Sequence, residues 1–394
     1  MIDVLIIGCG ITGVSAAYEL SRYKLSVTAV DSLNDIAGET TRANSGIVHA
    51  GYDPEPGTFM ARLNVRGSTL IRKLCEKLDV HYIQNGSLVI GFDDNDKATI
   101  ENLYRRGAEN GVPGLEIISG DEARKLEPNL SGGVICALCV PGGAVVSPWD
   151  LAVALAETAA RNGVTFTLGT EVTGISRIDG GYLVTTSKGE FKARAVVNAA
   201  GLYADTVHGF LKKPDFKIIP SRGQYYLLDK SAGGTVSRTV FQCPNKLGKG
   251  VLVTPTAHGN LLIGPSSESV DSRGDTATDA KALAFVLETA KRSVPGLNIR
   301  ENIRSFAGVR ANCDADDFII REAEKNFYDL AGIKSPGLTA APAIAEELIR
   351  MMEASGIKLS PKDAFIDERR VIRFRDLDNA QRAKLVRENP AYGR

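Results

Sequence analysis

The sequence predicts a mixed α/β (α+β) fold in two packed domains, and three observations lead to this prediction. At 394 residues the chain is too long for one compact core. It opens with a strand, a glycine-rich turn, a helix and a second strand within about thirty residues. Two later blocks, near 80–145 and 215–310, are rich in short strands. We therefore expect a Rossmann-like domain built from discontinuous segments and a second, largely antiparallel β-sheet domain.

The first domain is expected to comprise residues 1–80, 146–214 and 320–360. Residues 3–8 contain the continuous apolar run Val4–Ile7, which is typical of a parallel strand buried on both faces. After the glycine-rich turn, a helical pattern carries Val14, Ala17 and Leu20 on one face, and Ser26–Val30 is the second predicted strand. The later segments of this domain are predicted as a helix at Pro148–Asn162, returning strands at Thr165–Leu168, Gly181–Ser187 and Ala195–Asn198, a strand at Phe327–Ile333 and a helix at Ala340–Met352.

The second domain is expected to comprise residues 81–145 and 215–319, with one amphipathic stretch among the strands of the first block. Residues 361–394 are charged and lack a strong apolar period, so they are interpreted as an exposed tail or as the start of something longer. The basic run Glu368–Arg375 alternates charged and apolar residues between acidic neighbours. This pattern favours a solvated strand or a docking segment over a surface for nucleic acid or membrane.

Composition narrows the class of protein. There are 47 basic and 47 acidic side chains, so no whole-protein attraction to nucleic acid is expected. No secretory signal and no window near the roughly 20 apolar residues of a membrane span is found, which predicts a cytoplasmic protein. The six cysteines are scattered, which indicates reduced thiols. Cys136-x-x-Cys139 lies in a predicted strand without further ligands at zinc spacing, so no metal site is predicted.

The glycine-rich turn has the spacing of a dinucleotide fingerprint. Gly8, Gly10 and Gly13 lie between the first strand and the first helix, and Asp31 ends the second strand. Glycines let the backbone approach a pyrophosphate, whose charge is stabilised at the helix N-terminus. The carboxylate of Asp31 is expected to accept hydrogen bonds from ribose hydroxyls and to repel a ribose phosphate, which disfavours NADP. FAD and NAD both satisfy this motif.

Three further segments favour FAD. Glu39–Gly51 is rich in small and hydroxyl-bearing residues, which suits a loop around a phosphate and a flavin ring. Asn198–Gly201 ends a predicted strand with residues small enough for a cofactor to lie against them. Gly337–Pro342 leads into a helix whose positive N-terminal end suits the electron-rich side of a flavin. A nicotinamide enzyme has no evident need for this third segment.

These segments resemble the D-amino-acid-oxidase superfamily of flavoproteins, from residue 1 to about 355. Within it, Asn44–Gly51, Phe306–Arg310 and Gly332–Pro342 are similar to the branch that holds flavin-dependent glycerol-3-phosphate dehydrogenases and L-2-hydroxyglutarate oxidases or dehydrogenases. The resemblance implies that FAD is bound by Gly8, Gly10, Ile11, Thr12, Gly13, Asp31, Ser32, Thr40, Thr41, Asn44, Ser45, Gly46, Ile47, Val172, Ala199, Ala200, Gly201, Gly308, Arg310, Gly337, Leu338 and Thr339.

Arg310 and His49 are the predicted catalytic residues. Arg310 matches the arginine that holds the substrate's anionic group in this branch, and a guanidinium offers a planar fork that fits carboxylate or phosphate. The alternative is a structural ion pair with Asp314 or Asp317. His49 is predicted to accept the hydroxyl proton or to contact the substrate. Its alternatives are a covalent bond to the flavin, as in some relatives, or a hydrogen bond to a backbone carbonyl.

Arg222 and Lys249 are weaker candidates for a second positive contact to the substrate, and exposed strand ends are the alternative interpretation. The resemblance implies hydride transfer to flavin N5 from a small anionic hydroxyl substrate. The first choice is sn-glycerol 3-phosphate, oxidised to dihydroxyacetone phosphate, and the alternative is L-2-hydroxyglutarate or another 2-hydroxy acid. An amine or amino-acid oxidase and a non-catalytic electron-transfer subunit are the further alternatives.

The partners implied are the substrate and an electron acceptor, namely dioxygen, a quinone or a protein. In longer relatives a stretch similar to Glu388–Arg394 leads into a cysteine-rich iron–sulfur domain. An iron–sulfur partner or a peripheral site on the inner face of the membrane is therefore included among the expectations.

Overall fold

The computed structural model describes residues 1–244 and 250–393. The helices are α1 Ile11–Leu20, α2 Phe59–Lys77, α3 Asp94–Glu109, α4 Gly120–Leu126, α5 Pro148–Arg161, α6 Ala204–Gly209, α7 Ala280–Ser293, α8 Gly337–Ala354 and α9 Asn379–Glu388. The strands are β1 Ile2–Ile7, β2 Val27–Val30, β3 Ile47–Val48, β4 Tyr82–Ile83, β5 Ser87–Gly91, β6 Glu116–Ser119, β7 Cys136–Val140, β8 Ala144–Val146, β9 Thr165–Thr167, β10 Val172–Ile178, β11 Gly181–Thr186, β12 Gly189–Asn198, β13 Ile218–Leu228, β14 Thr239–Gln242, β15 Leu252–Pro255, β16 Leu261–Gly264, β17 Glu268–Ser269, β18 Asn302–Cys313, β19 Ile319–Glu324 and β20 Phe327–Ala331.

The first sheet has a parallel centre. Strands β20, β12, β1, β2 and β9 follow one another in parallel, and β10, β11 and β19 add antiparallel neighbours. Successive residues of β1 are buried on opposite faces: Val4 and Ile6 belong to the core that contains α1, α5 and α8, whereas Leu5 and Ile7 belong to the core on the other side. Burial on both faces confirms that the apolar run within residues 3–8 is a buried parallel strand.

The second sheet is largely antiparallel. Its order is β17-β13-β16-β15-β14-β5-β7-β6, and β18 pairs with β13; only the β14–β5 pair is parallel. A three-stranded sheet, β3-β8-β4, completes the structure. The mixed α/β class with a Rossmann-like part and an antiparallel part is thereby confirmed. The first sheet takes its strands from residues 2–30, 165–198 and 319–331, and the exact division into domains stays a prediction.

The sequence-based prediction placed no helix at α2, α6 or α9, and it merged or missed three others. Residues 80–145 contain α3 and α4 instead of one amphipathic stretch, and the strand-rich block near 215–310 contains α7. The sequence of α7 does carry helix signals, because Asp279 caps its N-terminus and Ala, Leu, Lys and Glu dominate it, but the strand-rich surroundings outweighed them in the prediction. The predicted helix at Pro148–Asn162 is confirmed as α5, and the predicted helix at Ala340–Met352 begins three residues earlier as α8.

The C-terminal segment is docked in its first part, which corrects the expectation of an exposed tail. Pro361 forms a β-bridge with Tyr23. The side-chain amide of Asn162 donates to the carbonyl of Ile366 and accepts from the amide of Ile366. The carboxylate of Asp79 accepts hydrogen bonds from the Val371 amide and from Arg373. Among the two alternatives for the basic run, the structure therefore favours the docking segment. Helix α9 follows with no buried residue.

Within the described ranges, no helix combines the length and the apolar character that crossing a bilayer would need.

Candidate active site

The turn between β1 and α1 forms an open cradle at the N-terminus of α1. Gly8 has φ +105°, and a Cβ atom on it would lie 2.4 Å from the carbonyl oxygen of Ala199. A Cβ on Gly13 would lie 1.9 Å from the carbonyl oxygen of Gly8. The N-cap residue Gly10 has no capping side chain, and the first turn of α1 holds no acidic residue. The amides of Cys9 and Ile11 donate to Asp31 and Thr41, and the remaining amides at the start of α1 are left for an anion such as a pyrophosphate.

Asp31 ends β2 beside this turn. Its carboxylate accepts hydrogen bonds from the amides of Cys9 at 2.7 Å and Leu33 at 2.9 Å, which fix its orientation. Burial raises the pKa of Asp31 despite these two bonds. The ionised carboxylate is thus short of donors, and the hydroxyls of a ribose are donors of the kind that it lacks.

A cavity of about 660 Å³ extends from this cradle. Fourteen of the residues predicted from the sequence line it: Gly10, Ile11, Thr12, Thr40, Thr41, Asn44, Ser45, Ile47, His49, Ala199, Gly201, Arg310, Gly337 and Leu338. Both predicted catalytic residues, the turn before α1 and the start of the segment Gly337–Pro342 are therefore brought to one space. Such a volume is in the range of small-molecule and cofactor sites.

The other predicted cofactor residues lie behind this wall or beyond it. Gly8 and Gly13 shape the turn, Asp31 and the exposed Ser32 follow β2, and the buried Val172 begins β10. Ala200 follows the lining residue Ala199, and Thr339 is fully buried. A Cβ on Gly46 would lie 2.4 Å from the oxygen of Val146, and one on Gly308 would lie 2.1 Å from the oxygen of Ala43. These two glycines permit close backbone contacts.

Hydrogen bonds hold the loop of residues 40–49 in place. The Thr40 hydroxyl donates to the carbonyl of Val309 at 2.6 Å, and the Thr41 hydroxyl accepts from the amide of Ile11 at 3.0 Å. The amide of His49 donates to the hydroxyl of Thr339 in α8 at 3.0 Å. The loop is thus tied to β18, α1 and α8, so the side chains that line the cavity are placed by rigid elements.

His49 reaches the cavity from the end of this loop. Its Nε2 atom lies 3.4 Å from the hydroxyl of Ser335, and its ring centroid lies 5.8 Å from that of Phe241. Its carbonyl accepts a hydrogen bond from the side-chain amide of Asn64 at 2.9 Å. The backbone is held on both sides while the imidazole lies at the cavity wall.

Arg310 projects from β18 into the same cavity. Its Nη2 atom donates to the carbonyl of Ser266 at 3.3 Å, and among the described residues it forms no ion pair. The structural pairing considered as an alternative is wrong, because both carboxylates are bound elsewhere. Asp314 accepts from the amide of Lys217. Asp317 accepts from the first two amides of α2.

Arg222 does not line the cavity, which contradicts its prediction as a second substrate contact. It lies on β13 opposite Val309, so its side chain leaves the β13–β18 pair on the face opposite to that of Arg310. There it pairs with Glu268, Asp275 and Asp279, and only 12% of its side chain is exposed. Three carboxylates therefore account for its charge. The other weak candidate, Lys249, lies outside the described residues.

Comparison with known proteins agrees with this geometry. A family described as FAD dependent oxidoreductase, abbreviated DAO, matches residues 3–351. The chain belongs to this family of FAD-dependent oxidoreductases. FAD is its cofactor, and the open amides of α1, the donor-poor carboxylate of Asp31 and the bare glycine backbone fit the diphosphate and ribose of that group.

Several relatives of this oxidoreductase can be named. It is 44% identical to a glycerol 3-phosphate dehydrogenase of Caloramator mitchellensis over 397 aligned residues, which cover 100% of this chain and 83% of the relative. It is 30% identical to the mitochondrial L-2-hydroxyglutarate dehydrogenase of Homo sapiens, over 67% of this chain and 60% of that protein. Its fold matches an L-alpha-glycerophosphate oxidase of Mycoplasma pneumoniae with FAD bound, with a TM-score of 0.89, 36% identity, and coverage of 94% and 99%.

The oxidoreductase also places residues in its cavity wall that sequence reasoning missed. Lys334, Ser335 and Asn312 line the cavity, as do Tyr225 and Ser266. Lys334 and Ser335 lie inside the segment Gly332–Pro342 that carries the family resemblance, so position in that segment was the available signal. Tyr225 and Ser266 had no comparable signal, because they reach the cavity only through the pairing of β13 with β18 and the passage of the chain from β16 to β17 along β13. No cluster of metal-binding side chains is found in the described part of the chain.

Proposed function

We propose that this oxidoreductase oxidises sn-glycerol 3-phosphate to dihydroxyacetone phosphate. The observation that carries the proposal is Arg310, a half-buried guanidinium in the cavity wall that has no carboxylate partner among the described residues. Leaving such a cation unpaired is costly unless a ligand supplies the anion. Its planar donor set fits two oxygens of a phosphate or carboxylate.

Glycerol 3-phosphate is preferred over a 2-hydroxy acid for two reasons. Lys334 lines the same cavity and forms no ion pair among the residues described, and a second cation suits a phosphate dianion. The relative with the higher identity, 44% over the whole chain, is a glycerol 3-phosphate dehydrogenase. L-2-Hydroxyglutarate is kept as the second candidate because a relative at 30% identity acts on it and because Arg310 suits a carboxylate equally well.

The chain's own residues have distinct parts in the proposed reaction. Arg310 clamps the anionic end and so places the carbinol carbon in the cavity. FAD, when bound, supplies the acceptor for the hydride that leaves this carbon. The imidazole of His49 accepts the hydroxyl proton, so a carbonyl forms, and the proton then passes to solvent. The hydroxyl of Ser335, 3.4 Å from Nε2, helps to orient the ring.

Anaerobic reduction tests this proposal. The purified holoprotein is mixed with glycerol 3-phosphate, L-2-hydroxyglutarate, glycerol and a set of amino acids, and the visible flavin absorbance is followed. We expect bleaching by glycerol 3-phosphate at the lowest concentration. Bleaching by L-2-hydroxyglutarate alone would favour the second candidate, and bleaching by amino acids alone would favour amine oxidation. A flavin that stays oxidised with every compound would make the chain a non-catalytic electron-transfer subunit.

The variant Arg310→Ala belongs in the same assay. Two lost charge-assisted hydrogen bonds cost about 1.5–3 kcal/mol each, so kcat/KM for glycerol 3-phosphate should fall by at least about a hundredfold. FAD loading should stay close to that of the wild type even though the resemblance implies a cofactor contact at Arg310, because the turn before α1 and Asp31 are expected to hold the diphosphate and ribose. Wild-type turnover of Arg310→Ala at low substrate would contradict the anion clamp.

The electron acceptor is part of the proposal. Dioxygen, a quinone and a protein partner are the candidates, and the relatives include both a dehydrogenase and an oxidase. An iron–sulfur protein would be the protein partner, and a peripheral site at the inner membrane face would give access to a quinone. Oxygen consumption during turnover, compared with reduction of a soluble quinone analogue, distinguishes them.

A further inference from the structure

One face of the β13–β18 pair, beside the cavity, carries Arg310, then two glycines and then two aromatic residues. Directly opposed residues of two antiparallel strands point to the same side, as do residues two positions along. Three opposed pairs therefore follow one another on this face: Ser221 with Arg310, Gly223 with Gly308, and Tyr225 with Phe306. The last pair is a stacked aromatic pair with a centroid distance of 4.9 Å. Two glycines thus separate the guanidinium from the aromatic rings.

The two glycines meet different neighbours. A Cβ on Gly308 would collide with the backbone oxygen of Ala43, so Gly308 lets the loop of residues 40–49 approach the sheet. A Cβ on Gly223 would lie 2.4 Å from Nη2 and 3.0 Å from Cζ of Arg310. The guanidinium therefore lies over the bare backbone of Gly223.

The backbone conformation of Gly223 does not require glycine. The φ angle of Gly223 is not positive, so an alanine can adopt the same backbone conformation. The space over its Cα is occupied by the Arg310 guanidinium and, 2.9 Å from the Cβ position, by the ring of Pro265. The guanidinium is the end of a flexible side chain and can move away. An alanine at this position should therefore displace mainly the Arg310 guanidinium, which has the shorter overlap, while the ring of Pro265 must also shift slightly.

We infer that Gly223 is a specificity-determining residue, which holds the Arg310 guanidinium in the position that receives the anionic end of the substrate. With Gly223 below it and the Ser266 carbonyl beside it, the fork is preorganised before an anion arrives. A side chain at position 223 would lift the fork and weaken binding of anions selectively. This inference rests on the proposed function only in taking Arg310 as the anion contact.

The test compares Gly223→Ala with a matched strand variant, Gly174→Ala, whose new Cβ would meet only Thr185 at 3.8 Å. Two quantities are measured on FAD-loaded protein: KM and kcat for glycerol 3-phosphate, and the dissociation constant of inorganic phosphate by calorimetry. Loss of a well-aligned charge-assisted hydrogen bond predicts a rise of about 10- to 100-fold in both KM and the phosphate constant. The kcat value, FAD content and turnover of glycerol should stay within about twofold, as should every value for Gly174→Ala.

A double variant tests whether Gly223 acts through Arg310. When Gly223→Ala is added to Arg310→Ala, we expect no further loss of phosphate affinity, because the group to be displaced is absent. An equal loss in both backgrounds, or wild-type KM and phosphate affinity in Gly223→Ala, would overturn the inference. If Gly223→Ala alone fails to load FAD, recovery of loading in the double variant supports the overlap with the guanidinium, and failure of both contradicts it.

The phosphate titration separates this inference from the proposed function. If the wild-type protein binds phosphate but does not oxidise glycerol 3-phosphate, the proposed substrate is wrong. The effect of Gly223→Ala on phosphate affinity still decides the role of Gly223 in that case.

Discussion

Arg222 and Arg310 lie on paired strands, one position out of register, and their side chains leave the sheet on opposite faces. Arg222 is bound by three carboxylates, whereas Arg310 contacts a single carbonyl and the cavity. The sequence made Arg310 the stronger candidate only through the resemblance of Phe306–Arg310 to the family branch, and it does not show which of the two arginines is neutralised. The difference arises from strand register, because a shift of one residue moves a side chain to the other face.

His49 is the residue for which a chemical role is most directly testable. Replacement by glutamine keeps a polar side chain but removes the base, so we expect kcat to fall by about 10²- to 10⁴-fold. The KM for glycerol 3-phosphate should change much less than kcat, because Arg310 still binds the anionic end. Steady-state kinetics and the flavin content measure these effects.

A matched control for this substitution is His258→Gln. His258 lies outside the cavity, where its Nε2 contacts Asp150 at 3.1 Å. It should leave kcat unchanged. Full kcat in His49→Gln would remove the histidine from proton transfer and leave it a positional role.

At the scale of elements, the site depends on close backbone approaches between helices and strands. Helix α2 approaches the start of α8 at Gly67, where a Cβ would lie 2.0 Å from the oxygen of Thr339. The hydroxyl of Thr339 in turn accepts the amide of His49. The N-terminus of α8, whose first residues line the cavity, is thereby fixed against both α2 and the loop of residues 40–49.

The turn before α1 gives the sharpest prediction at this scale. In Gly13→Ala the new Cβ would overlap the Gly8 oxygen, which is backbone and cannot move without opening the turn. The amides at the start of α1 would shift, and loss of one charge-assisted hydrogen bond to the pyrophosphate weakens FAD binding by about 10- to 100-fold. The dissociation constant of FAD, measured by fluorescence titration of the deflavinated protein, reports this change.

Gly209→Ala is the matched helical control. Its Cβ would meet only the Pro214 ring, at 3.5 Å or more. It should bind FAD like the wild type. Unchanged FAD affinity in Gly13→Ala would contradict the role given to the first turn of α1.

At the scale of the whole molecule, the C-terminal segment connects elements that are distant in the chain. Arg369 pairs with Glu157 of α5, and Lys77 at the end of α2 pairs with Asp367. Asp79 accepts from both Val371 and Arg373. Burial acts to raise the pKa of Asp79, but the Val371 amide and the Arg373 guanidinium outweigh it and lower the pKa below its usual value.

This lowered pKa predicts how docking depends on pH. A carboxylate with a depressed folded pKa contributes stability that is present above its unfolded pKa, about 3.9, and is lost as the pH falls through the folded value. Protection of the amides of residues 366–373 against hydrogen exchange should therefore persist at pH 5 and decrease below about pH 4.

Asp79→Asn should lower the protection of the amides of residues 366–373 against hydrogen exchange already at pH 7. Asp79 has φ +55°, a conformation that asparagine tolerates well, so the variant removes the charge and leaves the backbone unstrained. Asp121→Asn, which alters an exposed pair with Arg124, is the control. Equal protection of residues 366–373 in Asp79→Asn and the wild type would show that other contacts hold the segment.

Sequence patterns by themselves determined the dinucleotide turn, the alternation of strands and helices in the first sheet, the family and the loop that carries His49. These features depend on local spacing: glycines where the backbone must turn, apolar runs where strands are buried, and a carboxylate at the end of β2. Only the tertiary structure decided that Arg310 remains for a ligand while Arg222 is neutralised, that Gly223 lies beneath the guanidinium, and that residues 361–373 dock. Those outcomes depend on strand register and on contacts between residues far apart in the chain. Local sequence patterns specify neither of these.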